Sequence, residues 1–122
     1  VGRPHKDLLI WQDAMTLVEH VYRLTSSFPD QERFGLIAQL RRAAVSVPSN
    51  IAEGVARRTT REYLQFLGIA RGSMSEIDTQ IEIARRLGYG GSFVETDEIL
   101  ERLFARTNAL MTSLNTKLKG QD

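Results

Sequence analysis

The stretch Ile37-Ala38-Gln39-Leu40-Arg41-Arg42-Ala43-Ala44-Val45-Ser46-Val47-Pro48-Ser49-Asn50-Ile51-Ala52-Glu53-Gly54-Val55 decides the fold. Its apolar members Ile37, Leu40, Ala44, Val47, Ile51 and Val55 recur at steps of three and four residues. At 100° per residue they fall within an arc of about 80°, one narrow buried stripe of an amphipathic helix. Pro48 lies inside the stripe. It has no N–H for the carbonyl of Ala44, so the stretch either kinks there or divides near Ser46–Ser49. The apolar phase continues through Ile51 and Val55, which favours the kink. This second helix is predicted from about Gln31 to Arg57.

Three more helices flank it. The first runs from about Leu9 to Ser26, with Trp11, Ala14, Val18, Val21 and Leu24 in helical register. Ser26-Ser27-Phe28-Pro29-Asp30 then breaks the pattern. Thr59 followed by Glu62 forms a capping box and opens the third helix, which carries Leu64, Leu67, Ala70, Met74, Ile77, Ile81 and Ala84 and ends near Leu87. Gly88-Tyr89-Gly90-Gly91 reads as a turn. Ser92 and Glu95 repeat the capping box and open a fourth helix with Leu100, Leu103, Leu110, Leu114 and Leu118, fraying from Lys119 to Asp122. Strand signals are nearly absent. The expected fold is all-α, a single domain over residues 1–122: an antiparallel up-down-up-down four-helix bundle with flexible ends at 1–8 and 119–122.

Composition narrows the function classes. The 122 residues are 42% hydrophobic and 25% charged, with a formal charge of +1 and no cysteine. Disulfides, zinc ribbons and thiol nucleophiles are excluded. No apolar run approaches the roughly 18–20 residues that span a bilayer, and no basic-then-apolar leader opens the chain, so a cytoplasmic protein without a membrane is expected. The only histidines are His5 and His20, and no Glu-x-x-His occurs, so neither a di-metal carboxylate site nor a serine–histidine pair can be assembled. Gly88–Gly91 lacks the lysine of a phosphate cradle. No cofactor and no enzymatic reaction are expected.

Two rows of residues lie off the core stripes. On the second helix Gln39, Arg42, Ser46, Asn50, Glu53 and Arg57 make a polar row. On the third, Gly68, Gly72, Ser75 and Thr79 recur at steps of 4, 3 and 4, projecting about 160° from the core centre. A helix-interior glycine costs about 1 kcal/mol relative to alanine. Two glycines on an outward face are either drift on a tolerant helix or a smooth strip for a second helix, the small-xxx-small pattern. The strip and the polar row are therefore candidates for a subunit interface. Arginines cluster too. Between Arg33 and Arg71 seven of them stand against two acids, a local surplus of five positive charges. Arg41, Arg42, Arg57, Arg58 and Arg61 are candidates for backbone phosphates of RNA or DNA, with Arg57, Arg58 and Arg61 at the corner of helices two and three the better ones. The alternative is salt bridging, for instance Arg71 with Glu53 or Arg41 with a carboxylate on a neighbouring helix.

The run Gln39–Gly54 resembles the signature of the four-helix bundle proteins encoded by intervening sequences of bacterial 23S ribosomal RNA genes. Ala70-Arg71-Gly72-Ser73, Glu76 and Leu87-Gly88-Tyr89 resemble that family's second block. Phe28-Pro29, Phe34-Gly35-Leu36, His5-Lys6-Asp7-Leu8 and Trp11-Gln12 fit as well. The resemblance implies a ring-like homopentamer with no enzymatic activity. It also points to the accessory proteins of diversity-generating retroelements, similar bundles that pair with a reverse transcriptase and carry basic nucleic-acid-binding surfaces. The expected function is a self-assembling, non-enzymatic bundle that presents arginines to RNA or DNA with weak sequence specificity. The alternative is a scaffold or adaptor for a protein, with the arginines used in salt bridges.

Overall fold

In the computed structural model, which describes residues 2–121, the chain forms four long helices and, among the described residues, no strand. They are α1 (Leu9–Thr25), α2 (Leu36–Val55), α3 (Thr60–Arg86) and α4 (Val94–Gln121), with 3-10 turns at Pro4–Asp7 and Asp30–Glu32. Each helix packs on two others, α2 on α1 and α3, α4 on α3 and α1, and among the described residues there is no close backbone approach along either diagonal. The result is a four-helix bundle around one core. Leu17, Leu40, Val47, Ile51, Leu67, Met74, Ile77, Ile81 and Leu103 are fully buried at its centre.

α2 runs unbroken through Pro48, so the chain does not divide near Ser46–Ser49. Side chains beside the proline serve carbonyls of the preceding turn: Ser49 Oγ donates to the Val45 carbonyl and Asn50 Nδ2 to the Ser46 carbonyl, both at 2.8 Å. The start of α2 differs from expectation by five residues. Asp30–Glu32 form a 3-10 turn, and the helix proper begins after Gly35, where the buried stripe begins. Glu32 performs the capping, its Oε1 accepting from the Leu36 N–H at 3.1 Å.

The two expected capping boxes have different outcomes. Thr59 caps α3, its Oγ1 accepting from the Glu62 N–H at 3.1 Å and donating to Glu62 Oε1 at 2.9 Å. The Ser92–Glu95 box does not form. Ser92 Oγ accepts from the Val94 N–H instead, and Glu95 extends to His20 on α1, Oε2 to Nδ1 at 3.5 Å. Burial of Phe93 in the core fixes this register and moves the helix start to Val94. At the chain ends, Gln12 Nε2 holds the Pro4–Asp7 turn by donating to the Lys6 carbonyl at 2.9 Å. α4 continues to Gln121 rather than fraying from Lys119. Val1 and Asp122 lie outside the described residues.

Polar contacts tie neighbouring helices at fixed levels. Asp13 of α1, almost buried, takes Arg106 at 2.7 Å and Arg102 at 3.4 Å from α4. Arg85 of α3 reaches Asp97 of α4 at 2.7 Å, and Arg71 reaches Asn108 at 2.9 Å. Glu82 accepts from both Arg86 and Arg85, and these bonds hold its carboxyl below the usual range. α2 and α3 approach one another closely at Gly54. A Cβ there would sit 3.0 Å from Phe66 Cβ and from Tyr63 Cδ1, and 3.3 Å from the Tyr63 carbonyl.

Candidate functional site

The polar row of α2 turns toward α3 within the same chain. Ser46 and Ser73 meet Oγ to Oγ at 3.0 Å, which sets the level at which the two helices face one another. Around this contact Gln39, Arg42, Ala43, Ser46, Ser73, Glu76 and Gln80 line an open groove of about 370 Å³. Ala43 is small enough to leave the groove its floor, and Ser73 and Gln80 are buried beside it. Gln80 is only 8% exposed. Its Oε1 is sealed from solvent and accepts no hydrogen bond among the described residues. A buried amide oxygen without a donor costs about 1–3 kcal/mol.

The rest of the row satisfies itself locally. Asn50 Nδ2 turns back onto Ser46, reaching both its carbonyl and its hydroxyl. Glu53 pairs with Arg57 one turn on. The row therefore splits into a groove-lining half, Gln39, Arg42 and Ser46, and a half that bonds along its own helix.

The small-residue strip lies next to the groove on the outer side of α3. Gly72, Ser75 and Thr79 are exposed and Gly68 is half-buried. Among the described residues, and apart from the helix's own backbone and the adjoining residues, nothing lies within 4 Å of a Cβ built on Gly68 or Gly72. Large apolar side chains flank the strip: Ile69, Ile83 and Leu87 are all about half exposed, 53%, 44% and 55%. Val45 of α2 is also exposed, and Phe34, in the turn before α2, is 89% exposed. Groove and strip together form one broad side of the bundle.

The five candidate phosphate-binding arginines do not form one patch. Arg41 is engaged on α1, where Nε donates to Thr25 Oγ1 at 2.9 Å and the guanidinium lies 4.5 Å over the Tyr22 ring. The partner is a hydroxyl and a ring rather than a carboxylate. Arg42 lines the groove. Arg57 and Arg58 stand roughly 22–25 Å farther along the chain at 1.5 Å per helical residue. Arg57 is held by Glu53 and stacks 4.8 Å over Phe66. Arg58 and Arg61 are exposed at the start of α3. Arg71 pairs with Asn108 and not with Glu53.

The fold, the groove-forming run and the α3 strip all come from the segments whose motifs resemble the ribosomal intervening-sequence proteins. The family model of the 23S rRNA-intervening sequence protein matches residues 6–115. The chain belongs to this family. The 23S rRNA-intervening sequence match takes in α1, α2, α3 and most of α4, so it includes the fourth helix, where the motif resemblance is only general. No curated protein matches the chain.

Three polar groove residues stand outside the rows read from the sequence: Ser73, Glu76 and Gln80. Their signal is positional. Gln80 follows Ser73 by seven residues with Glu76 between, a polar line at the edge of the apolar arc of α3. Among the described residues no three His, Asp or Glu side chains converge on a point that could hold a metal ion.

Proposed function

We propose that the protein is a non-enzymatic helical bundle that assembles with copies of itself through the side shared by α2 and α3. The observation that carries this reading is the outer strip of α3, where two helix-interior glycines stand open beside exposed Ile69, Ile83 and Leu87. Glycine there weakens the isolated helix by about 1 kcal/mol per site, and exposed isoleucine gains nothing from water. A copy packed on the strip offsets both costs. A ring of five is the assembly that the family resemblance implies. The bundle's order belongs to the same reading: antiparallel up-down-up-down, with α2 bent at Pro48. Contact pairs 71/108 and 85/97, and likewise 13/106 and 20/95, support antiparallel neighbours, since one number rises as the other falls. A cytoplasmic location fits the finding that no described helix is long and apolar enough to cross a membrane. Sedimentation equilibrium of the full chain at micromolar concentration tests assembly. The expected mass is a multiple of 13.8 kDa, and a single 13.8 kDa species overturns the reading.

A second reading adds RNA or DNA, favoured by exposed Arg58, just before the Thr59 cap, and exposed Arg61 in the first turn of α3, where the helix dipole also attracts anions. Arg42 would extend such a surface; Arg41 and Arg57 are held by Thr25 and Glu53. No element is shaped to read bases, so contact would be to phosphate. Filter binding to mixed-sequence RNA and DNA is expected to weaken at least tenfold between about 50 and 200 mM salt. Retention that ignores salt, or no retention at 50 mM, favours a scaffold for a protein partner, a reverse transcriptase included.

A further inference from the structure

The capping box that Ser92 and Glu95 leave unmade opens a site at the start of α4. The residue before the helix is Phe93, whose ring supplies no acceptor. Ser92 Oγ takes the Val94 N–H at 3.3 Å, and the Phe93 carbonyl takes that of Asp97 at 2.9 Å. The N–H groups of Glu95 and Thr96, which a capping oxygen ordinarily serves, have no acceptor among the described residues. Both residues line an open cleft of about 360 Å³ between this turn and the last turns of α1. Thr96 adds an observation independent of the helix end. It is only 3% exposed, and among the described residues its hydroxyl makes no hydrogen bond. Unlike the Thr107 hydroxyl it is not sealed from solvent, and the surface that Thr96 lines is the cleft.

Arg23 and His20 of α1 form the opposite wall of the cleft. Arg23 is exposed, and its side chain has no partner among the described residues. His20 is mostly covered, and Glu95 Oε2 rests 3.5 Å from its Nδ1. That carboxylate is 80% exposed and lies beyond ordinary hydrogen-bond length, so it is an anion tethered loosely against the histidine. Of the other acids in this turn, Asp97 is held by Arg85, and Glu98 is exposed and does not line the cleft. We propose that the cleft binds the phosphoryl group of a small phosphate monoester. The Glu95 and Thr96 N–H groups and the Thr96 hydroxyl donate to its oxygens from one side, Arg23 and His20 face it from the other, and the Glu95 carboxylate swings out to make room. A tetrahedral oxyanion meets both walls at once, which a planar carboxylate does not. The remaining volume takes the organic group that carries the phosphate.

Titration of the full chain with inorganic phosphate and with glycerol phosphate, followed by the NMR shifts of backbone amides, tests the proposal. The Glu95 and Thr96 amides are expected to move most and to saturate together, with the monoester bound at least as tightly as inorganic phosphate. Glu95→Gln removes the tethered competitor and is expected to tighten binding about fivefold, whereas Arg23→Gln is expected to weaken it about fivefold. Both side chains are exposed, so helicity by circular dichroism should be unchanged in each variant. Shifts that fail to saturate, or that centre on the start of α3 instead, overturn the site. A Glu95→Gln variant whose phosphate affinity is unchanged or lower overturns it as well. Mixed-sequence RNA that moves the same amides at a lower phosphate concentration than the monoester does would make the ligand a nucleic-acid backbone and overturn the small-molecule assignment.

Discussion

Replacing Ile51 with alanine is expected to remove about 4 kcal/mol of folding stability, out of the roughly 5–15 kcal/mol that a domain of this size has. Ile51 is fully buried, one turn past Pro48, in the centre of the α2 stripe. The substitution deletes three carbons from a site whose neighbours sit on rigid helices, so a cavity remains beside the lost transfer energy. The size of the loss reports on the helix as well as the residue. A chain that divided at the proline would carry Ile51 at the ragged start of a new segment, where truncation costs under about 1 kcal/mol. Urea unfolding at one fixed protein concentration measures it, because the proposed assembly would add to apparent stability in a concentration-dependent way. The midpoint should fall sharply with the slope unchanged.

Gly54→Val is expected to cost about 3 kcal/mol, the upper end of the usual penalty for overpacking. The first added carbon already falls 3.0 Å from Phe66 Cβ and Tyr63 Cδ1 and 3.3 Å from a backbone carbonyl, so α3 itself has to move. Valine adds two methyl groups to that conflict. The gain in helix propensity over glycine, a few tenths of a kcal/mol, is too small to compensate. Because α2 and α3 lie so close at Gly54, the displacement should also widen the groove around Ser46 and Ser73 and lower assembly affinity. Thermal unfolding and sedimentation of the same sample check both effects.

Much of this architecture is legible in the sequence because a helix's buried stripe depends only on its own period. On α3 the apolar series from Leu67 to Ala84 is the buried series, and on α2 Leu40, Ala44, Val47 and Ile51 are the centre of the core. Where the apolar arc is wide the reading slips. On α1, Trp11, Val18 and Leu24 are only partly buried, and Trp11 packs at the core's edge with its ring 5.3 Å from His5, while Ile10, Leu17 and the polar Asp13 and Thr25 face inward. Asp13 and Thr25 go inward because Arg102, Arg106 and Arg41 come to meet them from other helices, which no single-helix period contains. On α4, Leu110, Leu114 and Leu118 are half-buried because the last turns extend along the bundle with fewer neighbours.

The candidate site is harder to read for the same reason. Projection places Gln39, Arg42 and Ser46 to one side of the α2 stripe but does not say which helix stands on that side. α3 fills it, and the pairing of Ser46 with Ser73 turns an apparent outer row into a groove wall. The strip at Gly68 and Gly72 projects outward and is found outward, since the core of α3 lies almost opposite. Arginine counting misleads most. Arg41 and Arg57 lie on aromatic rings and bond within the chain, so a local charge surplus overstates the cations left for a ligand.

The outer side of α3 is open in the single chain, and a double substitution on it tests the proposed self-assembly directly. Among the described residues, Gly68→Lys with Gly72→Lys brings neither new Cβ within 4 Å of an atom outside its own stretch of helix, and lysine is the better helix former, so the monomer should fold at least as stably. Two long charged side chains on the strip, however, block close approach of a second helix. Sedimentation equilibrium of wild type and variant at the same micromolar concentration is the measurement. A wild-type mass that is a multiple of 13.8 kDa, falling to 13.8 kDa in the folded variant, is the predicted result. A variant that keeps the wild-type mass contradicts it.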